Sequence, residues 1–165
     1  MIIRRAREED FDAIWQIIAP VIAAGETYSF DRDMDRDAGF QAWMTPPHTT
    51  YVAEIENKIA GTYNIKRNRA GGGGHVCNAG YMVADWARGR GLASAMCEHS
   101  QREAKDQGYR AMQYNCVVST NTGAVRLWKK HGFDIVGTLP KAFHHPKAGY
   151  IDAYVMYKSL MDDPE

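Results

Sequence analysis

The feature that most constrains this chain is one central segment, Gly80 to Ala95, which reads GYMVADWARGRGLASA. Its pattern predicts a strand that ends near Val83, a tight turn over 88–91 and a helix that begins at Leu92. A helix N-terminus leaves several N–H groups unpaired and carries about half a positive charge, so it suits a phosphate. The segment therefore predicts a strand–turn–helix unit that binds a phosphate-bearing ligand.

The residue types of the turn fit that role. Gly89, Gly91 and the small Ala93 let the backbone approach a pyrophosphate closely, because a β-carbon would keep it out. Arg88 and Arg90 add positive charge nearby. The spacing matches neither the Walker A pattern nor the Rossmann pattern GxGxxG. On these residues alone, an ordinary glycine-rich turn with two solvated arginines remains the alternative.

Hydrophobic periodicity divides the rest of the chain into strands and helices. Apolar spacings of three and four predict helices over 11–24 and 36–44, and a period of two from Thr50 predicts a hairpin over 51–65. The other predicted elements are a first strand at 2–3, strands over 75–84, 110–118, 133–139 and 150–158, and helices over 91–107 and 121–131. This order predicts a mixed α/β (α+β) fold with about seven strands and about four helices on both sheet faces.

Composition limits the partners. Lys and Arg total 20, as do Asp and Glu, so the net charge is near zero and neither nucleic acid nor an acidic membrane is expected as a partner. No apolar run approaches the ~18 residues of a membrane span, and the start lacks a signal-peptide pattern. The three cysteines form no CxxC pair, which argues against a zinc site. We expect a single domain over 1–165 in the cytoplasm, with a small-molecule partner.

A second motif follows the first. It has the form Asn-x-x-Ala, then an aromatic residue, then Gly-Phe, and comprises Asn121, Ala124, Trp128, Gly132 and Phe133. With the Val-ended strand and the Arg-x-x-Gly-x-Ala turn at 88–93, the chain resembles the GCN5-related N-acetyltransferase (GNAT) superfamily. Both motifs stand in the order and spacing of that family.

The resemblance implies an acetyl-CoA-dependent N-acetyltransferase that needs no metal, with a sheet that splays open after the Val83 strand. The pantetheine arm would lie in the opening, and the Val83 N–H would polarise the thioester carbonyl. The Asn121 side chain would bond the pantetheine amide, although a helix N-cap is the alternative for that residue. The pyrophosphate would be held by Arg88, Gly89, Arg90, Gly91, Leu92 and Ala93.

Trp128 departs from the pattern of many relatives, which place a tyrosine there as the proton donor to the leaving thiolate. An indole N–H donates a hydrogen bond but is no proton source at physiological pH. A thiol with a pKa of ~8.5 leaves tolerably without an acid. We therefore expect Trp128 beside the cofactor with no general acid at this position, and core packing is the alternative.

Two asparagines, Asn78 and Asn115, lie in predicted strand interiors, where a buried amide must find partners, and on these residues alone each could simply bond the local backbone. The segments around Asn78 and Asn115 resemble the branch that contains the yeast L-azetidine-2-carboxylate (proline-analogue) acetyltransferases, where matching asparagines hold the substrate and assist catalysis. With Val83, they are the candidate catalytic residues, and the acceptor is predicted to be an amino or imino acid or a related xenobiotic. Glu26 and Tyr28, in a polar and aromatic segment, are further substrate-binding candidates.

A general base remains open between three residues that could relay a proton through water, Glu26, Glu54 and His75. Two alternative functions also remain open. The acceptor could be a polyamine, an aminoglycoside or a protein amine, for which only the acidic run Asp31, Asp33, Asp35 and Asp37 could supply a matching charge. The chain could instead be a catalytically silent CoA-binding sensor. The resemblance further suggests a possible homodimer.

Overall fold

The sheet begins with antiparallel hairpins. The computed structural model describes residues 1–161, in which β1 (Ile2–Arg5), β2 (Thr49–Ile55), β3 (Lys58–Arg67) and β4 (Val76–Val83) pair antiparallel in sequence order. Glu56 and Asn57 both have a positive φ, as the two central residues of a type I′ turn require, and this turn joins β2 to β3.

The second half of the sheet is added by crossovers. The remaining elements are α1 (Phe11–Ala24), α2 (Arg36–Trp43), α3 (Leu92–Asp106), β5 (Ala111–Val118), α4 (Thr122–Lys130), β6 (Asp134–His145) and β7 (Gly149–Ser159). Within residues 1–161 the strand order is β1-β2-β3-β4-β5-β7-β6, and β4 with β5 is the only parallel pair. The mixed seven-stranded sheet with four α-helices confirms the predicted fold class.

The sheet opens between its two central strands. β4 pairs with β5 only at Val76–Ala111 and Cys77–Met112. Beyond that point the strands diverge, so the rest of β4, residues 78–83, has β3 on one side and a gap on the other. This is the opening beside Val83 that the resemblance implied.

Strand alternation assigns side chains to the two faces of the sheet. A β-carbon on Gly61 would meet Met96 of α3, so the odd-numbered residues of β3 face α3. Thr62 accepts a hydrogen bond from the Trp43 indole N–H at 3.0 Å, so the even-numbered residues face α2. Gly80 of β4 likewise faces Trp43. We call the two sides the α3 face and the α2 face.

One predicted element differs in length. The last hairpin begins near the predicted residue but β6 continues to His145, past the predicted end at Leu139. Pro140 carries no N–H, which normally ends a ladder. Here the pairing with β7 shifts between Leu139 and Phe143, and Lys141 adopts a φ of 54°. The bulge lets the strand pass the proline and resume.

Within residues 1–161, no helix is long and apolar enough to cross a membrane. The same part of the chain has no group of three or more His, Cys, Asp or Glu side chains that could hold a metal ion.

Candidate active site

A cavity of about 880 Å³ occupies the gap between β4 and β5 and extends over the α2 face of β3. It has two ends, set by the strand register. We call the first the turn end, lined by Val83, Arg88, Gly89, Ala93 and Asn121. We call the second the asparagine end, lined by His48, Asn64, Lys66, Asn78 and Asn115. The fold therefore brings residues of both predicted motifs, and both predicted asparagines, to one cavity.

The geometry of the turn end is suited to an anion. Gly91, the residue before α3, has a left-handed backbone conformation with a φ of 78°. Gly89 has a φ of 77°. A β-carbon at either glycine would meet no protein atom within 4 Å, so open space lies above both. The unpaired N–H groups of the first turn of α3 face outward from this point. The turn thus fits the pyrophosphate of acetyl-CoA.

The arginines and Leu92 contribute unequally to that turn. Arg88 lines the cavity and pairs with Asp85 at 2.9 Å, with both side chains largely exposed. Arg90 is exposed and does not line the cavity. The Leu92 side chain is buried in the core, so only its backbone N–H is available to a ligand at the helix start.

Asn121 combines the two roles considered for it. Its Oδ1 accepts a hydrogen bond from the Ala124 N–H at 3.3 Å and so caps α4. The residue also lines the cavity. Because the cap uses only the oxygen, the Nδ2 group remains available as a donor to a ligand carbonyl.

The edge of β4 that faces the gap offers backbone groups to a ligand. The Ala84 N–H donates to the Ala60 carbonyl of the β3 side at 2.8 Å. By alternation, the N–H groups of Val83, Tyr81 and Ala79 point into the gap. A backbone edge without a partner strand is the arrangement that an extended amide-containing chain, such as pantetheine, can complete.

Tyr28 already occupies part of that edge. Its hydroxyl accepts a hydrogen bond from the Tyr81 N–H at 2.8 Å and donates one to the Tyr81 carbonyl at 2.6 Å. Burial raises the pKa of this hydroxyl to about 12. The residue lines the cavity, its hydroxyl is engaged with β4, and its predicted role in substrate binding stays a prediction.

Val83 and Asn78 are too far apart to serve the same small acceptor directly. They are five residues apart on one strand, which corresponds to about 16 Å. Reacting atoms must approach to about 3–3.5 Å. The two predicted roles therefore compete. Of the other N–H groups on this edge, that of Ala79 lies closer to Asn78, and that of Tyr81 is already bonded to Tyr28.

The three strand asparagines differ in how far the protein satisfies them. The Nδ2 of Asn78 donates to the Gln113 carbonyl at 2.9 Å across the gap, and its Oδ1 has no partner within residues 1–161. Asn115 uses both groups, since it donates to Asn68 at 2.7 Å and accepts from Gln113 at 2.9 Å. Asn64 is 5% exposed and its side chain makes no hydrogen bond to the described residues.

The predicted bases do not reach the cavity. Glu26 pairs with Lys147 at 2.7 Å, and this partner lowers the pKa of the Glu26 carboxyl. Glu54 accepts a hydrogen bond from Arg4 at 2.9 Å. Neither of them lines the cavity, and neither does His75.

His48 is a polar residue that the sequence did not single out. Its Nδ1 lies 2.9 Å from the Thr45 carbonyl, which can only accept, so Nδ1 carries the proton and Nε2 is an acceptor. Burial lowers the pKa of this imidazole, and the positive charge of Lys66 lowers it further. His48 is thus a neutral imidazole in the cavity lining at pH 7, and no local pattern marked it because its position depends on the loop that follows α2.

Trp128 packs as well as lining the cavity. It is 9% exposed, and its ring lies 5.0 Å from the rings of both Tyr81 and Tyr114. Burial raises the pKa of both of these tyrosines well above the usual value, so they are poor acids. The absence of a general acid at this position stays a prediction.

A splayed mixed sheet with a glycine turn at a helix N-terminus defines an acyl-CoA-binding transferase. Residues 3–133 match the model of the acetyltransferase (GNAT) family, and the chain belongs to this family. It is accordingly an acetyl-CoA-dependent N-acetyltransferase, as the two motifs predicted.

Similar proteins agree with this assignment. A GCN5-related N-acetyltransferase structure from Kribbella flavida is 40% identical, with a TM-score of 0.90 and 96% of each chain covered. The L-amino acid N-acetyltransferase AaaT of Escherichia coli is 29% identical over 94% of this chain and 96% of its own. The N-acetyltransferase aca1 of Schizosaccharomyces pombe is 26% identical over 90% of this chain and 79% of its own. The structure of yncA from Salmonella typhimurium, with acetyl-CoA bound, shares the fold with a TM-score of 0.85 at 23% identity, and covers 100% of this chain and 96% of its own.

Proposed function

We propose that this enzyme acetylates the amine of a small amino or imino acid. The observation that carries the proposal is the charge of the cavity. Within the described residues, its lining includes no Asp or Glu, and its charged side chains are Lys66 and Arg88. A site of this kind favours an acceptor with a carboxylate and disfavours a polyamine or an aminoglycoside, which carry several positive charges.

The acidic run that could serve a cationic acceptor lies elsewhere. Asp35 caps α2, because its Oδ1 accepts the Ala38 N–H at 2.8 Å. The other members, Asp31, Asp33 and Asp37, are exposed, and no member of the run lines the cavity. The run therefore supports the start of a helix and a solvated surface rather than a polycation site.

The name of one relative supports the same substrate class. The Escherichia coli relative is an L-amino acid N-acetyltransferase, and its similarity extends over nearly the whole of both chains. The segments around Asn78 and Asn115 also resemble the proline-analogue acetyltransferase branch, which supports an imino or amino acid acceptor. An α-amino group has a pKa of ~7.7–8.0, so a useful fraction of it is unprotonated at neutral pH without a strong base.

The proposed chemistry is a direct transfer. Acetyl-CoA supplies an activated thioester; the acceptor nitrogen bonds to its carbonyl carbon, the carbon–sulfur bond breaks, and CoA leaves as the thiol. The nitrogen loses one proton, and the thiolate gains one from solvent. In this scheme the N–H groups on the open edge of β4 stabilise the charge that develops on the carbonyl oxygen.

The asparagine end orients the acceptor in this proposal. The unpartnered Oδ1 of Asn78 accepts a hydrogen bond from the acceptor amine and directs its lone pair toward the thioester. His48 Nε2 accepts the departing proton, directly or through water. Burial and the nearby Lys66 keep this imidazole neutral, which is the state that a proton acceptor needs.

The test is thiol release from acetyl-CoA across a panel of amines. The panel contains α-amino acids, imino acids, a polyamine, an aminoglycoside and a peptide with a free N-terminus. We expect the highest kcat/KM with an amino or imino acid. Highest efficiency with the polyamine or the aminoglycoside would reject the proposed substrate class. Tight CoA binding without release for any amine would instead favour the silent sensor.

A further inference from the structure

Asn64 is a buried residue whose side-chain amide has no partner within residues 1–161. It lies in β3 opposite Gly80 of β4, in the middle of the open region. Its side chain is 5% exposed and lines the cavity, and no described residue hydrogen-bonds to it. The only fully buried side-chain N or O atom without a partner in residues 1–161 is Thr45 Oγ1, so the amide of Asn64 is open to the cavity that it lines. A polar group held at a cavity wall inside an otherwise buried residue is placed to hydrogen-bond a bound molecule. The missing partner of Asn64 therefore points to a ligand.

Lys66 lies two residues further along the same strand. Side chains at i and i+2 of a strand share a face, so Lys66 and Asn64 both project onto the α2 face. Lys66 pairs in register with Asn78, the candidate acceptor residue of β4. It lines the cavity and makes no ion pair with any residue in the range 1–161. The other cation of the lining, Arg88, belongs to the turn end and is paired with Asp85.

We infer that Asn64 and Lys66 form the subsite that binds the carboxylate of the acceptor. The inference rests on the proposed function and adds the residues that select its substrate. The ammonium of Lys66 pairs with the carboxylate, and the amide N–H of Asn64 donates to one of its oxygens. The carboxylate is then anchored beside Asn78, which leaves the acceptor nitrogen to Asn78 Oδ1 and the β4 edge.

The experiment compares each amino acid that the enzyme accepts with its own α-carboxamide. The two acceptors share the amine and the side chain and differ in the negative charge. We expect the wild-type enzyme to prefer the acid at least tenfold in kcat/KM. Lys66→Met should lower kcat/KM for the acid by about ten- to two-hundredfold and for the amide by less than threefold, with KM for acetyl-CoA unchanged.

Three further variants keep the test decisive. Asn64→Leu, which preserves the size of the side chain, should show the same selective loss. Lys66→Arg should restore most of the preference for the acid. Arg67→Met removes the same charge from an exposed neighbour that does not line the cavity, and it should leave both acceptors unaffected.

The outcomes separate the subsite from the function it rests on. If the wild-type enzyme acetylates amino acids but Lys66→Met and Asn64→Leu lose the acid and the amide equally, the subsite assignment is wrong and the function stands. If these variants keep the full preference for the acid, the carboxylate binds elsewhere. If no amino acid is acetylated by the wild-type enzyme, both proposals fail together.

Discussion

The two faces of the same three strands have opposite polar character. On the α3 face, β3, β4 and β5 carry Tyr63, Tyr81 and Tyr114, and each hydroxyl has a partner. Tyr63 lies 2.6 Å from His99 Nδ1, and Tyr81 contacts both Ser100 at 2.7 Å and Tyr114 at 3.0 Å. The tyrosine hydroxyls of the α3 face are therefore all hydrogen-bonded within the protein.

On the α2 face, the same strands carry asparagines in place of tyrosines. Asn115 is fully paired, Asn78 is half paired and Asn64 has no partner within the described chain. Strand alternation alone assigns these residues to opposite sides. The difference teaches that the tyrosine hydroxyls of the α3 face are used within the fold, whereas on the α2 face the Asn64 amide and the Asn78 Oδ1 stay open to the cavity.

The largest effect is expected at two glycines whose substitution distinguishes a loss of acetyl-CoA binding from a loss of stability. Gly91 and Gly108 flank α3, with φ values of 78° and 87°, and a β-carbon at either meets no atom within 4 Å. Both Gly91→Val and Gly108→Val should lower the melting temperature, because a β-branched residue is strained at positive φ.

Only Gly91→Val should also abolish acetyl-CoA binding. At a hundredfold excess over its dissociation constant, acetyl-CoA should stabilise the wild type and Gly108→Val by about 2.7 kcal/mol, and Gly91→Val by nothing measurable. Thermal unfolding with and without acetyl-CoA measures this, and Gly91→Ala serves if the valine variant does not fold. Undiminished binding by a folded Gly91 variant would remove the turn from the cofactor site.

A smaller effect is expected when one polar residue of each sheet face is substituted, Asn78 on the α2 face and Tyr114 on the α3 face. Asn78→Ala should lower kcat/KM for the acceptor by about ten- to two-hundredfold, with little change in CoA affinity. Its loss of stability should be no more than the ~0.5–1.5 kcal/mol of its one hydrogen bond to the Gln113 carbonyl. Tyr114→Phe should instead lower the melting temperature and leave kcat/KM for the acceptor nearly unchanged. It breaks a buried hydrogen-bond network and costs about 1–3 kcal/mol of stability. Steady-state kinetics, CoA titration and melting curves on both variants provide the measurement. Asn78→Ala that loses stability and both substrates together would return Asn78 to a structural role.

The smallest effect is expected at Trp128, which packs against Tyr81 and Tyr114 and also lines the cavity. Trp128→Phe should leave turnover within about tenfold, because at most one hydrogen bond of ~0.5–1.5 kcal/mol is lost and no acid is removed. Single-turnover rates at saturating substrates report the chemical step. A decrease of three orders of magnitude in a folded variant would show that the indole takes part in the chemistry.

The fold could be predicted from the sequence because its signals are local. The glycines around α3, the alternation in β2 and β3, and the spacing of the two motifs each act over a few residues. The end of β6 could not be predicted, because Pro140 normally terminates a strand and the bulge that accommodates it depends on β7. Tertiary pairing overrode the local signal there.

The candidate site was predictable only in part. The asparagine argument that selected Asn78 and Asn115 applies equally to Asn64, which also stands inside a strand. What sets Asn64 and Lys66 apart is the lack of a partner, and that is a property of the whole fold rather than of any segment. His48 and the ion pair of Glu26 with Lys147 likewise depend on loops that are distant in sequence.

The open edge of β4 has a consequence for inhibition. A gap that accepts an extended chain by its amides does not distinguish pantetheine from a short peptide of similar length. The Tyr28 hydroxyl already bonds the backbone N–H and carbonyl of Tyr81. Such a peptide would therefore form its backbone hydrogen bonds mainly at Ala79 and Val83, one on each side of Tyr81. We expect compounds with two amides at this spacing to compete with acetyl-CoA and, if they stop short of the asparagines, to leave acceptor binding intact.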